Sequence, residues 1–491
     1  LIDAGGVDAG GVDAGGVDGG VAFDGGTCWP FDDVPTAQLR ASPKKVFAHY
    51  FSPFPLSIDN LPVATDYYAV EYLRPTGEFS AHLYCGGYLK DRPLSPPPWP
   101  MGTDINLENA KIEIRRAIRL GLDGFAYDVL ETSPTNIHWI RLDRMLAAAA
   151  AVDPGFKIML IADMTSIAPS GSDAVATTEL LSVIAAFGNH PSTLHLPDGR
   201  IVLAAFGAER RPASFWSQLL TTLAMRGTPA ALMPMTIPPW SAYPPSFAGV
   251  PLFGAATWGP RAVSGVPSMQ VDADVAHDAG LVWMAAVAPQ DSRPKDLGLI
   301  ESDAAEAFLE LWNTTLVSNA DWVQLVTWND YSENTHISPS VQTGTAFYDL
   351  SAWFIRRMKL GSAPIVRDAL YWFHRPHSMN VALAPFSTQQ PSAYVATNGP
   401  AVAANRVELV ALLTAPATLR IDLGGQRFER VVGAGLQRFD VALIEGTPTF
   451  SIVRNGTVVL QATSATPISN TINWQNPLYH AGAFPTCPVV W

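Results

Sequence analysis

The chain has 491 residues, of which 48% are hydrophobic and only 15% charged, with 41 Pro, 38 Gly and 14 Trp. That length predicts two or three domains, or one barrel with an accessory module. A formal net charge of −13 excludes the basic footprint that nucleic acid or an anionic membrane needs, and no apolar run approaches the ~20 residues of a transmembrane helix.

Residues 1–20 repeat the unit Val-Asp-Ala-Gly-Gly. A segment with so little to bury predicts a Gly/Asp-rich flexible linker over 1–27. The chain begins at Leu1. A secretory or lipoprotein signal is expected upstream, which makes the protein secreted or tethered to the cell surface, with a lipid anchor as the tether. The three cysteines, Cys28, Cys85 and Cys487, are too far apart for a metal knuckle, and an odd number leaves at least one thiol free. A Cys28–Cys85 bridge would pin the N-terminal segment to the domain; the sequence does not select that pair.

From residue 44 an apolar run with a helix-like stretch after it recurs eight times. The runs are 46–51, 124–130, 157–163, 201–207, 230–235, 253–258, 281–288 and 322–328. They are continuously apolar rather than alternating, as parallel strands covered on both faces are. In 104–120, Leu107, Ala110, Ile114, Ala117 and Ile118 share one helix face and Gly121 supplies a stop. Stretches 137–152, 174–188, 212–226 and 302–318 read the same way, whereas 236–250, rich in Pro and Ser, marks no clear fifth helix. Eight such units predict an α/β fold, a (β/α)8 TIM barrel over 28–362. An open doubly wound sheet is the alternative, weakened by the absence of a GxGxxG or Walker loop after any strand. A long insertion, 52–103, comes after the first strand and is expected to wall the active-site face. After residue 362 short alternating runs between Gly, Pro and Asn turns predict an all-β sandwich over 363–491. Trp372, His374, Arg375 and His377 are expected to pack between the two parts.

Active sites of such barrels lie at the C-terminal ends of the strands. The polar and aromatic residues there are His49 and Tyr50 after the first run, Asp128, Asp163, Trp258, Gln290 and Asp291, and then Trp328, Asn329, Asp330, Tyr331, Ser332 and Glu333. Carboxyl groups paired for acid and base work, with rings to stack on sugars, suit glycosidic bond cleavage. Asp330 and Glu333, three apart just past a buried strand, form the sharpest pair; the bland alternative is a loop cap and a solvated glutamate. Trp258 could equally be core, and Asp123, at the opposite end of the barrel, is expected to serve stability. No GxSxG elbow, HExxH pair or metal-ligand spacing occurs.

The segments 46–51 (VFAHYF), 86–93 (GGYLKDRP), 120–128 (LGLDGFAYD), 157–164 (KIMLIADM) and above all 326–333 (VTWNDYSE) resemble glycoside hydrolase family 71, the α-1,3-glucanases or mutanases, whose last-strand motif reads approximately TWNDYGES. The resemblance spans about residues 44–380. It implies a TIM barrel, an extracellular location, no metal or cofactor, and endo-hydrolysis of α-1,3-glucan with inversion. It maps the catalytic pair onto Asp330 and Glu333 and substrate-site roles onto His49, Asp163 and Asn329. The chain departs from the family at Asp128, commonly Asn, at Ser332, commonly Gly, and at Asn334, Thr335 and His336 in place of Ser-His-Tyr. The expected substrate-binding set is therefore His49, Tyr50, Asp128, Asp163, Trp258, Trp328, Asn329 and Tyr331. The expected mechanism has Glu333 as acid and Asp330 as base, with the exchanged roles as the alternative, in a monomer acting on an α-glucan polysaccharide. A hydrolase of another α-linked glycan and a non-catalytic glycan-binding surface protein are the competing readings.

Overall fold

A computed structural model describes residues 28–381, 383, 394–396 and 403–491. The expected linker, residues 1–27, lies outside them. Eight parallel strands close into a barrel: β1 (Lys45–Tyr50), β2 (Gly124–Val129), β3 (Lys157–Asp163), β4 (Ile201–Phe206), β5 (Ala230–Thr236), β6 (Gly254–Thr257), β7 (Val282–Val287) and β8 (Trp322–Leu325). β8 pairs with both β1 and β7, which rules out the open sheet. Along each strand alternate residues face opposite ways. Phe47, Met159, Ile161, Val202, Met233, Met235, Met284 and Trp322 fill the cylinder. Val46, Ala48, Phe125, Tyr127, Leu160 and Leu203 face the helices in a second, larger cluster. Burial on both sides is why the runs contain almost no polar residue except at their C-terminal ends.

The surrounding helices are α1 (Ile105–Leu120), α2 (Ile137–Val152), α3 (Asp173–Phe187), α4 (Ala213–Met225), α5 (Ser268–Asp278), α6 (Glu306–Val317) and α7 (Ala346–Leu360). The Asp104 side chain caps α1 by accepting from the Leu107 N–H, and Gly121 ends it at φ 108°, where a Cβ would be strained. After β5 the chain makes only two 3-10 turns, Trp240–Ala242 and Pro244–Phe247. Pro238, Pro239, Pro244 and Pro245 withhold the N–H groups an α-helix there would require.

Beyond the barrel, Val395–Ala396 join a hairpin after β7 in a small three-stranded sheet, and two larger four-stranded antiparallel sheets follow. One has the order β13 (Gly435–Ala442), β10 (Arg406–Leu413), β9 (Ala369–His374), β16 (His480–Phe484), and the other β12 (Gln426–Val432), β11 (Ala417–Leu423), β14 (Thr449–Arg454), β15 (Thr457–Thr463). Leu370, Leu409 and Ala411 of the first meet Leu419, Ile421, Phe450 and Ile452 of the second, and Trp372 stacks on Phe450 at 5.7 Å. The expected sandwich is thus present. The far face of the first sheet joins the barrel's own core through Tyr371, Phe373, Val410 and Leu412, with Phe373 at 5.1 Å from Phe347 of α7. Arg375 pairs with Glu301 at 3.0 Å across this junction, both side chains 1% exposed, whereas His374 bonds Ser464 within the sheets.

The disulfide joins Cys28 to Cys487, Cα–Cα 5.2 Å, and Cys85 is a buried free thiol. The Cys28–Cys85 pairing is thereby corrected. The chain end runs back along α1, where Arg116 donates to the Val490 carbonyl (2.9 Å) and Arg119 to that of Pro488 (2.6 Å), which brings Cys487 to the N-terminal segment. Cys85 is held elsewhere, its Sγ donating to the His82 and Gly87 carbonyls. No helix among the described residues is long and apolar enough to cross a membrane.

Candidate active site

Strand phase decides which strand-end residues reach the barrel mouth. His49 is in register with inward Phe47, Asp128 with Ala126, Asp163 with Ile161 and Trp258 with Ala256, and these four side chains gather there. His49 Nε2 lies 3.5 Å from Asp128 Oδ2, Gln324 Nε2 lies 3.2 Å from His49 Nδ1, and the His49 ring meets Trp258 edge-on at 4.7 Å. Burial pushes the Asp128 carboxyl up to about 6, with the nearby Asp163 and Asp330 charges adding to it and His49 opposing it. Asp128 Oδ1 is buried without a hydrogen-bond partner, so it is free to accept from a sugar hydroxyl. Asp163 is engaged locally: Oδ1 accepts from the Thr165 N–H and hydroxyl and Oδ2 from the Ser166 hydroxyl, each at 2.7 Å.

Four of the expected binding residues do not join them. Tyr50, one residue out of phase, turns outward and donates to Glu113 of α1 at 2.7 Å. Trp328 donates to the same carboxylate at 3.3 Å and packs on Phe125 at 5.1 Å. Asn329 clamps the first-strand loop, accepting from the Phe51 N–H and donating to the Phe51 and Phe54 carbonyls. Tyr331 lies under the 52–103 insertion against His336 (4.3 Å) and Phe54 (6.2 Å) and bonds Ser338. All four are buried, and the polar atoms named here are turned to these protein partners rather than toward the barrel mouth.

The turn after β8 carries the candidate acidic pair. Asp330 Oδ1 accepts from the Ser332 N–H (2.8 Å), the Ser332 hydroxyl (2.7 Å) and the Glu333 N–H (3.1 Å). Such an Asx turn curls the chain, so the two residues stand closer along the backbone than the ~10 Å reach of an extended segment. Burial raises the Asp330 carboxyl against these hydrogen bonds. Glu333 is raised well above an ordinary glutamate, first by burial, then by Asp330 and Asp291, while Arg293 and Arg261 pull it down. Its Oε1 is 3.2 Å from Arg293 Nη1, and its buried Oε2 has no partner.

Three further groups at this mouth escaped sequence reasoning. Arg261, three residues past Trp258, lies over that indole at 5.3 Å and donates to its carbonyl at 2.6 Å. Arg293, beyond Asp291, faces Glu333. Tyr88 of the insertion lies beside Asp330, whose charge adds to burial in pushing its hydroxyl up to about 12. Only a charged side chain a few residues past a strand end hinted at the two arginines, and Tyr88 was marked only as part of the family-like segment 86–93, without a role. Among the described residues no cluster of three or more His, Cys, Asp or Glu side chains is arranged to hold a metal ion.

Several carboxyls on the rim of a closed parallel barrel, two on one turn and both pushed toward protonation, with rings between them, equip a glycoside hydrolase. The family comparison agrees. The chain belongs to glycosyl hydrolase family 71, whose model matches residues 101–485. It is 23% identical over 391 residues to the glucan endo-1,3-alpha-glucosidase agn1 of Schizosaccharomyces pombe, covering 73% of this chain and 86% of that one. Among solved structures it is similar to the GH99 endo-alpha-mannosidase of Bacteroides thetaiotaomicron, with TM-score 0.47 and 12% identity over 64% of this chain and 98% of that one. It is also similar to a Bacteroides uniformis beta-glucuronidase, with TM-score 0.42 and 10% identity over 77% and 44% of the two chains.

Proposed function

We propose that this glycoside hydrolase cleaves the α-1,3-glucosidic bonds of α-1,3-glucan within the chain and with inversion. Glu333 protonates the leaving oxygen, and Asp330 takes the proton from a water that attacks the opposite face of the sugar. The observation that carries this assignment is the asymmetry of the pair. Asp330 accepts three hydrogen bonds on one oxygen, which favour its anion, whereas Glu333 keeps an unengaged oxygen in a setting that holds its proton. Asp128, with its free Oδ1, and His49 and Trp258 would grip the sugar beside the bond. The family and the activity for which the yeast relative is named support the linkage. In this reading 28–362 carry the chemistry and 363–491 buttress them. The Cys28–Cys487 bridge supports work in an oxidising compartment, outside the cytosol.

The test is release of reducing ends from a panel of α-1,3-glucan, mixed α-glucans and mannan by the parent, Asp330→Asn and Glu333→Gln. Turnover should be confined to α-1,3-glucan and fall by about 10³-fold or more in each variant with unchanged folding. NMR of the fresh reducing end should show the β-anomer first. Near-parental activity in either variant removes the assignment, and α-anomer product removes inversion.

A further inference from the structure

We propose that Arg293 is a positioning residue for Glu333, holding one carboxyl oxygen so that the other stays available for proton transfer; the proposal rests on the reading of Glu333 as the acid. Arg293 stands on a two-stranded hairpin after β7, Asp291–Arg293 against Gly298–Ile300. Asp291 engages its guanidinium twice, at Nε (2.9 Å) and Nη2 (2.8 Å). A guanidinium is planar and rigid, so fixing two of its nitrogens fixes the third. That third nitrogen, Nη1, meets Glu333 Oε1 at 3.2 Å.

The hairpin itself has little freedom relative to the catalytic turn. The Ser292 N–H donates to the Glu333 carbonyl at 2.8 Å, and Asn334 Nδ2 donates to the Ser292 carbonyl (2.8 Å) and hydroxyl (3.1 Å). On its outer side Gly298 and Leu299 pair in parallel with Val395 and Ala396, and Glu301, just beyond the hairpin, is buried against Arg375. The segment after the barrel therefore braces the hairpin that carries the arginine facing the acid.

Charge balance explains why a cation belongs there. The groups facing Glu333 are Asp330 on its own turn, Asp291 and Arg293 from the β7 loop, and Arg261 from the β6 loop, with Arg261 Nε 3.7 Å from Asp291 Oδ2. Two guanidinium groups face three carboxyls, so full ionisation leaves one surplus negative charge that a single retained proton cancels. Asp291 is satisfied by both arginines and Asp330 by its turn, which leaves Glu333 to hold that proton. Arg293 keeps its affinity for the proton within the range of a usable acid and prevents the side chain from rotating toward Asp330.

The experiment compares the parent with Arg293→Gln and Arg293→Lys, a third-exposed site where folding should tolerate both. The Glu333 carboxyl is titrated by 13C NMR in unliganded protein, its signal assigned with Glu333→Gln, and kcat and KM are measured against pH on soluble α-1,3-gluco-oligosaccharides. For Arg293→Gln the Glu333 midpoint should rise by about one pH unit. Its kcat should fall about 100-fold while KM stays near the parental value. Arg293→Lys, which keeps the charge without the fork, should restore the midpoint but only part of kcat. An unmoved midpoint, or a loss confined to KM, overturns the proposal. The titration needs no turnover, so it separates this result from a failure of the proposed function, which inactivity of the parent on every glucan would show.

Discussion

Replacing Asn329 by Ala discriminates between the role the family motif implies and the one the fold gives it. The carboxamide is 1% exposed and makes three hydrogen bonds: from the Phe51 N–H (2.8 Å), to the Phe51 carbonyl (2.9 Å) and to the Phe54 carbonyl (2.8 Å). Alanine leaves one donor and two acceptors of the first-strand loop without a partner. At about 1 kcal/mol net per bond, the loss is about 3 kcal/mol. In a protein of this size that lowers Tm by about 3 °C. Because the clamp adjoins Asp330, kcat should fall as well, but only together with stability. Thermal unfolding, the urea midpoint and glucan binding by the same preparation decide the matter. An Asn329→Ala protein with parental Tm and urea midpoint but weakened glucan binding would place the carboxamide on the substrate and refute the clamp.

Buried groups give two further expected outcomes. Burial pushes Glu113 up to about 7 and Asp128 and Asp349 up to about 6, so the folded protein keeps protons that the unfolded chain releases. Stability from these groups is complete below their unfolded values near 4 and is lost as pH rises through 6 to 7. The urea midpoint should thus be higher at pH 5 than at pH 8, and Glu113→Gln should flatten that slope; an unchanged slope excludes Glu113 as a source. The Cys28–Cys487 bridge should leave one thiol, Cys85, reactive in denatured, unreduced protein, whereas three reactive thiols would contradict it. Its removal by Cys487→Ser should cost about 2–5 kcal/mol, because the bridge closes a loop of 459 residues.

The barrel was legible in the sequence because each of its strands is buried on both faces, and this produces apolar runs that no half-exposed strand shows. The lack of an α-helix between β5 and β6 was legible too, since prolines act locally on the backbone. Asp330 and Glu333 stood out by their place after the last run. Period-two counting from Phe47 separates His49 from Tyr50, but it stops at the strand end, so Trp328, Asn329 and Tyr331 could not be sorted that way. Their environments depend on α1 and the insertion, more than 200 residues away in the chain.

Local order along the chain is written in short-range patterns: which segments become strands, where helices stop, and which ends carry carboxyls. Partnerships are not written there. The Arg293–Glu333 contact, the return of Cys487 to Cys28 and the pairing of the β7 hairpin with Val395 and Ala396 each join residues whose proximity arises only when the cylinder closes and the C-terminal part docks. Burial is what turns an acidic residue into one that keeps its proton, and burial is a property of the assembled molecule.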